Sequence, residues 1–541
     1  MNRFIRIFFW AVSCGLTMSC QGFLETEPLS FTAVDNFYKS ASDAETALRG
    51  CYSRVLNSYS VGGRGGIFYV ADIGTDELIG NPYSTPDAGS NMDQFIFGRV
   101  VKSNINMRDT WSAMYNSIYA INNLLGQLPG ITMEEGQRKR IEAEASFLRG
   151  WHYFYMGMMF GGVPLYTAVP HHPEQARSSL EEVMNQAIAD LRLAYDRLPD
   201  ETVSTPGMAT KWAAAGYLAK LYCYLASSKI SGTGRDLQFE LNSYEWVPEQ
   251  EFYQKAEILL EEIVTKSGLK LTRDYRTLFL EGAREQQREE LLFTFLPSDQ
   301  MRVGFGLNYY LLPVGYYGNG WGTCRPTYEA FARYDTLLDA RAKWVLGGMG
   351  TEATVLTIEG KNYTRPTELK LANGVPYDGD YNITKFRMIS SAVRSTDVYL
   401  GYYPLLRLAD IYLLWAEARA NSQGAEAGRE ILKTVRSRAL RTGSAENLAK
   451  IQARYRKTDF IEELLDERSR ELGYEQQRKF DLVRFNRYLS TIKSLSTTVG
   501  VWNGLAAGQL KNNLTPHQIW MPIPEEDEII NANLLPNNPG Y

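Results

Sequence analysis

Tyr403-Pro404-Leu405-Leu406-Arg407-Leu408-Ala409-Asp410-Ile411-Tyr412-Leu413-Leu414-Trp415-Ala416-Glu417-Ala418 is the stretch on which the fold turns. Its periodicity predicts a helix running from Tyr403 to Ala420. Leu408, Tyr412, Trp415 and Ala416 fall on one stripe of such a helix, which reads as a core-facing side. Arg407 and Asp410, three apart, are placed to pair with each other.

The same helical period recurs outward in both directions. Towards the N-terminus, amphipathic helices are expected over 43–52, over Trp111 to about Gly126, and over 142–159, the last stopped by Gly161-Gly162 and Pro164. Further helices are expected over 180–198, 210–228 and 252–265. Beyond the opening stretch, 426–440 and 459–474 read the same way, the latter with a capping-box-like start at Asp459 and Glu462. Short Gly/Pro turns between neighbours suggest helical hairpins stacked side by side, in the manner of tetratricopeptide arrays. Residues 60–110 and 295–400 differ. They are rich in Gly, Asn, Tyr and Pro, and read as long ordered excursions with a few short strands. The expected fold is therefore mainly α, one domain over 31–541, with irregular loops carried on a helical scaffold.

At the other end, Arg3 and Arg6 precede an apolar run from Ile7 to Met18, then Ser19 and Cys20. This is the pattern of an export signal over 1–19, with an apolar run too short to span a bilayer. Leu16-Thr17-Met18-Ser19-Cys20 resembles a lipobox, with Leu one place further out than usual; an ordinary secretory signal beside a chance Cys is the alternative. Acylation of Cys20 would leave residues 20–30 as a short lipidated tether.

The chain of 541 residues is 44% hydrophobic and 12% aromatic, ample for a large core. Formal charge is −5 and becomes −7 if Arg3 and Arg6 leave with the signal. With no Lys/Arg block there is no electrostatic footprint for nucleic acid. Beyond Cys14 and Cys20, the remaining Cys51, Cys223 and Cys324 are widely separated. They read as buried free thiols, or as one bridge with one Cys left over. His171-His172 lacks the spacing of a zinc pair, and no metal or cofactor is expected, with a calcium ion in the loops left open.

The quoted stretch, together with 144–154, Phe160 to Leu165, 210–214, Glu467 to Leu472 and Arg478 to Arg484, resembles the SusD/RagB-like outer-membrane lipoproteins of Bacteroidetes. The likeness runs from Phe23-Leu24-Glu25, where Asp is common at position 25, to the ending Asn538-Pro539-Gly540-Tyr541. Gln476 occupies a place where that family usually has Gly. The resemblance implies a surface-exposed, lipid-anchored outer-membrane protein that captures a nutrient, typically an oligosaccharide. Its implied partner is a SusC-like TonB-dependent transporter.

Glu467 and Glu471, with Arg468 and Arg478, are expected to form a partly buried ion network that locks hairpins together. General acid/base work is the other reading, opposed by Arg residues that would keep both acids ionised. The densest non-helical aromatic cluster is Tyr309, Tyr310, Tyr316, Tyr317, Asn319 and Trp321, threaded with glycines and closed by Arg325. Such rings cover the C–H faces of sugars while Asn and Arg meet hydroxyls; alternatively they plug the domain. The resemblance adds the early insertion to the ligand site, where Asp76, Tyr83, Asn91 and Asp93 are the candidates. A non-catalytic glycan binder is expected. A peptide or glycopeptide binder and a surface glycoside hydrolase are the competing functions, the last lacking clustered acids in the aromatic loops.

Overall fold

Helix α1 (Ala41–Tyr59) begins a series in which each element packs on its predecessor: α2 (Ile105–Gln127), α3 (Glu135–Phe160), α4 (Leu180–Arg197), α5 (Lys211–Ser231) and α6 (Glu249–Lys266). Helix α7 (Leu408–Gln423) packs on α6 and pairs with α8 (Ala425–Ala439). Further along come α9 (Ala445–Tyr455), α10 (Phe460–Leu472), α11 (Arg478–Arg484), α12 (Tyr488–Ser494) and α13 (Val501–Asn513), with shorter helices of five or six residues between and after the larger elements. The computed structural model describes residues 37–59, 66–80, 91–200, 207–295, 311, 323–348, 354–358, 361–365, 381–386, 399, 401–499 and 501–541. The signal segment, Cys20, the tether, Tyr83, Tyr309, Tyr310, Tyr316, Tyr317, Asn319 and Trp321 lie outside the described residues.

Local chemistry sets the helix ends. Asn104 caps α2 through the Met107 amide, and Thr210 caps α5 through that of Ala213. A full capping box opens α4: the Ser179 amide donates to Glu182 (2.7 Å), and the Glu182 amide donates to Ser179 Oγ (3.2 Å). Helix α3 stops at Gly161, where φ is +74° and a Cβ would lie 2.2 Å from the Asn242 side chain. Only glycine fits there. Asn538 then lashes the C-terminus to this exit, donating to the carbonyls of Phe160 (2.8 Å) and Met521 (2.7 Å) while accepting from Arg177 (2.7 Å).

The expected mainly helical, hairpin-stacked class holds, and so do the few short strands. Among the described residues, all strands occur as antiparallel pairs. β1 (Leu78–Gly80) pairs with β3 (Cys324–Pro326), and β2 (Leu291–Phe295) with β8 (Tyr403–Arg407). β4 (Leu346–Gly348) pairs with β7 (Tyr381–Ile383), and β5 (Thr354–Ile358) with β6 (Lys361–Arg365).

The opening stretch departs from its reading. Tyr403–Arg407 is strand β8, and the helix starts only at Leu408, whose amide donates to the Glu290 carbonyl (2.9 Å). Proline at 404 pushes Tyr403 into extended backbone, and β2 offers that segment a ladder. Helix α7 is buried on most of its circumference, so the apolar stripe does not mark one inner side. Tyr412 and Trp415 lie on the partly exposed sliver, where the Arg419 guanidinium covers Trp415 at 5.1 Å. Asp459 caps α10 through the Ile461 amide (2.9 Å) without a reciprocal bond from Glu462. Cys51, Cys223 and Cys324 are free and buried, which resolves the open alternative. Among the described residues no helix is long and apolar enough to cross a membrane.

Candidate functional site

The β1/β3 ladder joins the early excursion to the later one. Leu78 lies opposite Pro326, Ile79 opposite Arg325 and Gly80 opposite Cys324. The chain leaves β1 and enters β3 at the same end, so residues following Gly80 and residues preceding Cys324 start from one point. A Cβ at Gly80 would collide with Ile96, whose side chain sits 2.0 Å from that position. This close approach presses the ladder onto the short helix Met92–Ile96.

Of the described candidates, two do not face solvent. Asp76 is fully buried and accepts bonds from Arg478 at both oxygens (2.7 Å each) and from Arg333. Burial alone would raise its pKa, but the two guanidinium groups outweigh it and hold the carboxyl well below the usual range. Asp76 is therefore a structural ion-pair member that secures the base of β1, not a ligand contact. Arg325 is 4% exposed within the ladder, because the β3 residues are covered on both faces. Asn91 is half-buried in a left-handed conformation (φ 49°) ahead of Met92, and its carbonyl accepts from Asn104 Nδ2 (3.2 Å). Asp93 is paired with Arg99 at 2.6 Å. The structure thus brings Asp76 and Arg325 to one ladder and leaves Asn91 and Asp93 on the adjacent short helix and its entry.

Beneath the ladder lies a buried ionic hub larger than the network expected from the sequence. Glu463, Glu467, Glu471 and Glu475 recur every four residues along and just past α10, and all are buried. Glu467 meets Arg341 (3.0 Å), Arg436 (2.8 Å) and Arg470 (2.8 Å). Glu471 meets Arg341 (2.9 Å), Arg407 (2.6 Å) and Arg438. Glu475 takes Arg407 (2.7 Å) and Lys385 (2.5 Å). Arg407 reaches Glu290 as well (2.9 Å), so it does not pair with Asp410, which instead binds Lys220 (2.9 Å) and Arg468 (2.8 Å). The strand geometry of β8 is the reason: it aims Arg407 away from the α7 turn that carries Asp410.

Burial pushes Glu471 up, yet Arg438, Arg407 and Arg341 together bring it to about 2. The same contest, won by Arg470, Arg341 and Arg436, holds Glu467 well below its ordinary value. Both stay ionised at neutral pH, as the sequence argument anticipated, and neither has the raised pKa of a catalytic acid. Arg468 and Arg478, expected in this network, pair instead with Asp410 and Asp76. Of the members that reasoning missed, Glu290, Arg341, Lys385, Arg436 and Arg438 come from other segments, while Glu463 and Glu475 extend the α10 stripe. The four-residue recurrence of glutamates was the available signal.

Asp72 completes the base. Its carboxylate accepts the amides of Gln476 (2.9 Å) and Arg478 (3.3 Å), holding the 473–478 turn against the segment before β1. Burial, followed by the charge of Glu77, raises its pKa. Gln476, at the position where Gly was expected, has φ +57° and accepts the Tyr59 hydroxyl at 2.7 Å.

A profile of the SusD family matches residues 290–541, and a second, described as starch-binding associating with outer membrane, matches 84–223. This is a SusD/RagB-like protein. It is 25% identical to SusD-like protein P25 of Formosa agariphila, over 100% of this chain and 99% of that one. It is 24% identical to starch-binding protein SusD of Bacteroides thetaiotaomicron, over 78% of this chain and 76% of that one. The crystal structure of a SusD superfamily protein from Bacteroides vulgatus superposes with a TM-score of 0.71 at 19% identity, covering 93% of this chain and 100% of that one. The quoted blocks at 403–418 and 467–484 fall inside the first profile, and 144–165 inside the second.

Proposed function

We propose that this SusD/RagB-like protein is a non-catalytic cell-surface lipoprotein, lipidated at Cys20, that captures an oligosaccharide. It delivers the glycan to a SusC-like TonB-dependent transporter in the outer membrane. The observation that carries the reading is the Gly80–Cys324 end of the β1/β3 ladder. Tyr83 lies three residues beyond it and Trp321 three residues before it, so chain geometry keeps each within about 11 Å of that shared base. Rings and amides drawn from both excursions would converge there as stacking platforms and hydroxyl partners. The likeness to a starch-binding relative supports a glycan as the ligand. The ionised state of the paired glutamates supports a binder without acid/base chemistry.

Calorimetric titration of the full-length protein in detergent against a panel of plant, host and microbial glycans, with a reducing-end assay in parallel, tests this. Saturable binding without product, weakened at least tenfold by Trp321→Ala, is the expected result. Released reducing ends would make the protein a hydrolase. Binding to peptides alone would remove the sugar and leave the fold.

A further inference from the structure

A second concavity lies away from the ladder, where α2, the 164–173 connection and the C-terminal segment after Pro524 meet. It is an open cleft of about 310 Å³, at the lower end of small-molecule sites. Aromatic rings form one wall. Tyr166 stacks on His171 (4.1 Å, 7° between planes), and Tyr119, 46% exposed, sets its edge on the same imidazole at 5.0 Å. Tyr115 abuts Tyr166 at 5.5 Å and is pinned by its hydroxyl donating to the Pro164 carbonyl (2.9 Å). The wall is thus pre-formed, and little ordering is left to do on binding.

Polar groups face it. Ser112 and Asn116, one turn apart on α2, line the cleft, and among the described residues neither side chain is hydrogen-bonded. Asp527 adds a carboxylate with no ion-pair partner among the described residues; the neighbouring Arg108 is taken by Glu526 (3.0 Å) and Asp109 (2.9 Å). Rigid rings beside unengaged hydroxyl and amide groups, with a carboxylate held in place by the Trp111 indole, match the two surfaces of a sugar. Asp527 and Glu526 together repel acidic ligands.

We propose that this cleft is a second saccharide site, taking one or two units of a neutral glycan and rejecting uronic or sialic residues. The proposal rests on the glycan reading above and adds a site separate from the ladder. The full-length protein in detergent is titrated with maltoheptaose, laminarihexaose and trigalacturonate by calorimetry and saturation-transfer NMR. The variants are Trp321→Ala, Asn116→Trp, which fills the cleft mouth from an exposed position, Asp527→Ala, and the pairs with Trp321→Ala. Thermal melts check that each is folded. We expect a neutral oligosaccharide to retain residual binding in Trp321→Ala, and that residue to fall at least tenfold when Asn116→Trp or Asp527→Ala is added. Trigalacturonate should not bind the cleft. Cleft variants that titrate like their parents, in both backgrounds, would overturn the second site while leaving the first intact. Loss of all binding in Trp321→Ala alone would do the same. No glycan binding by the wild type would bring down the capture reading itself.

Discussion

Around α3, α4 and α5 the interior is built from rings and aliphatic chains. Trp151, Tyr153, Phe154 and Tyr217 are buried, Phe147 meets Tyr217 edge-on at 5.8 Å, and His152 sits neutral among them. Around α7, α8 and α10 the interior is just as inaccessible, yet Arg341, Arg407, Arg436, Glu467 and Glu471 occupy it. Burial of rings is non-directional, so it stabilises the helix stack without choosing a unique register and accepts changes that keep volume. Buried ion pairs recover a large desolvation cost only when every partner is in place, so they contribute little net energy and much geometry. That geometry has a destination. Arg341 and Lys385 come from the later excursion and end on Glu471 and Glu475, so the hub bolts loop-bearing segments to the scaffold. The proposed glycan site, drawn from both excursions, would depend on such bolts.

The sharpest way to break this contrast is to remove one cation. Arg407→Ala leaves Glu290, Glu471 and Glu475 short of a shared partner. A loss of about 3–5 kcal/mol is expected, the range for an orphaned buried charge. Chemical denaturation of the variant measures it. A shift below about 1 kcal/mol would mean that water or rearrangement satisfies the acids, and that the hub is not the rigid element described.

Acid separates the two regions next. His152 donates from Nδ1 to the Leu148 carbonyl (2.7 Å) and accepts from Ser58 at Nε2 (3.1 Å), and burial lowers its pKa to about 4. A histidine depressed in the folded state contributes stability that is complete above its unfolded value of about 6.5 and is lost as pH falls towards 4. Glu471, held at about 2, contributes stability that is complete above about 4.3 and is lost as pH falls towards 2. Each amounts to something on the order of 3 kcal/mol. The melting temperature should therefore fall in two stages, one from pH 6.5 to 4 and a second below about 4. His152→Gln should flatten the first stage alone. A single fall confined to pH below 4 in the wild type would show that His152 is protonated without cost.

Much of the scaffold was legible because stacked helices repeat a strong period, whereas only Glu467 and Glu471 of the four-residue glutamate stripe on α10 were read. The strand at 403–407 was not legible, because four apolar residues and an arginine before a helix look like its first turn. Only the ladder partner at 291–295, more than a hundred residues away, decides otherwise. Asp76 failed as a ligand candidate for the same kind of reason: an Asp in a Gly-rich stretch looks exposed until Arg333 and Arg478 arrive from elsewhere in the chain. Cleft residues such as Tyr115, His171 and Asp527 carry no shared pattern, since three separate segments supply them. The aromatic run at 309–321 could be read from composition, and its contacts belong to the titrations.

The smallest effect probes the turn that joins hub to ladder. Gln476 is in left-handed backbone, which costs a residue with a Cβ on the order of 1 kcal/mol relative to glycine. Its amide donates to Asp72 whatever the side chain, whereas its Oε1 accepts from Tyr59 only as glutamine. Gln476→Ala loses the Tyr59 bond and keeps the strain; Gln476→Gly loses the bond and relieves it. Both variants should be less stable than the wild type, with glycine recovering about 1 kcal/mol relative to alanine. That difference isolates the backbone term, because the side-chain loss is common to both. If alanine equals glycine, the turn is not strained, and the glutamine is held there by its bonds to Tyr59 and to the Tyr474 carbonyl (3.3 Å). If alanine matches the wild type, the Gln476 side-chain bonds contribute no net stability; if glycine matches it, those bonds are worth about what the left-handed backbone costs.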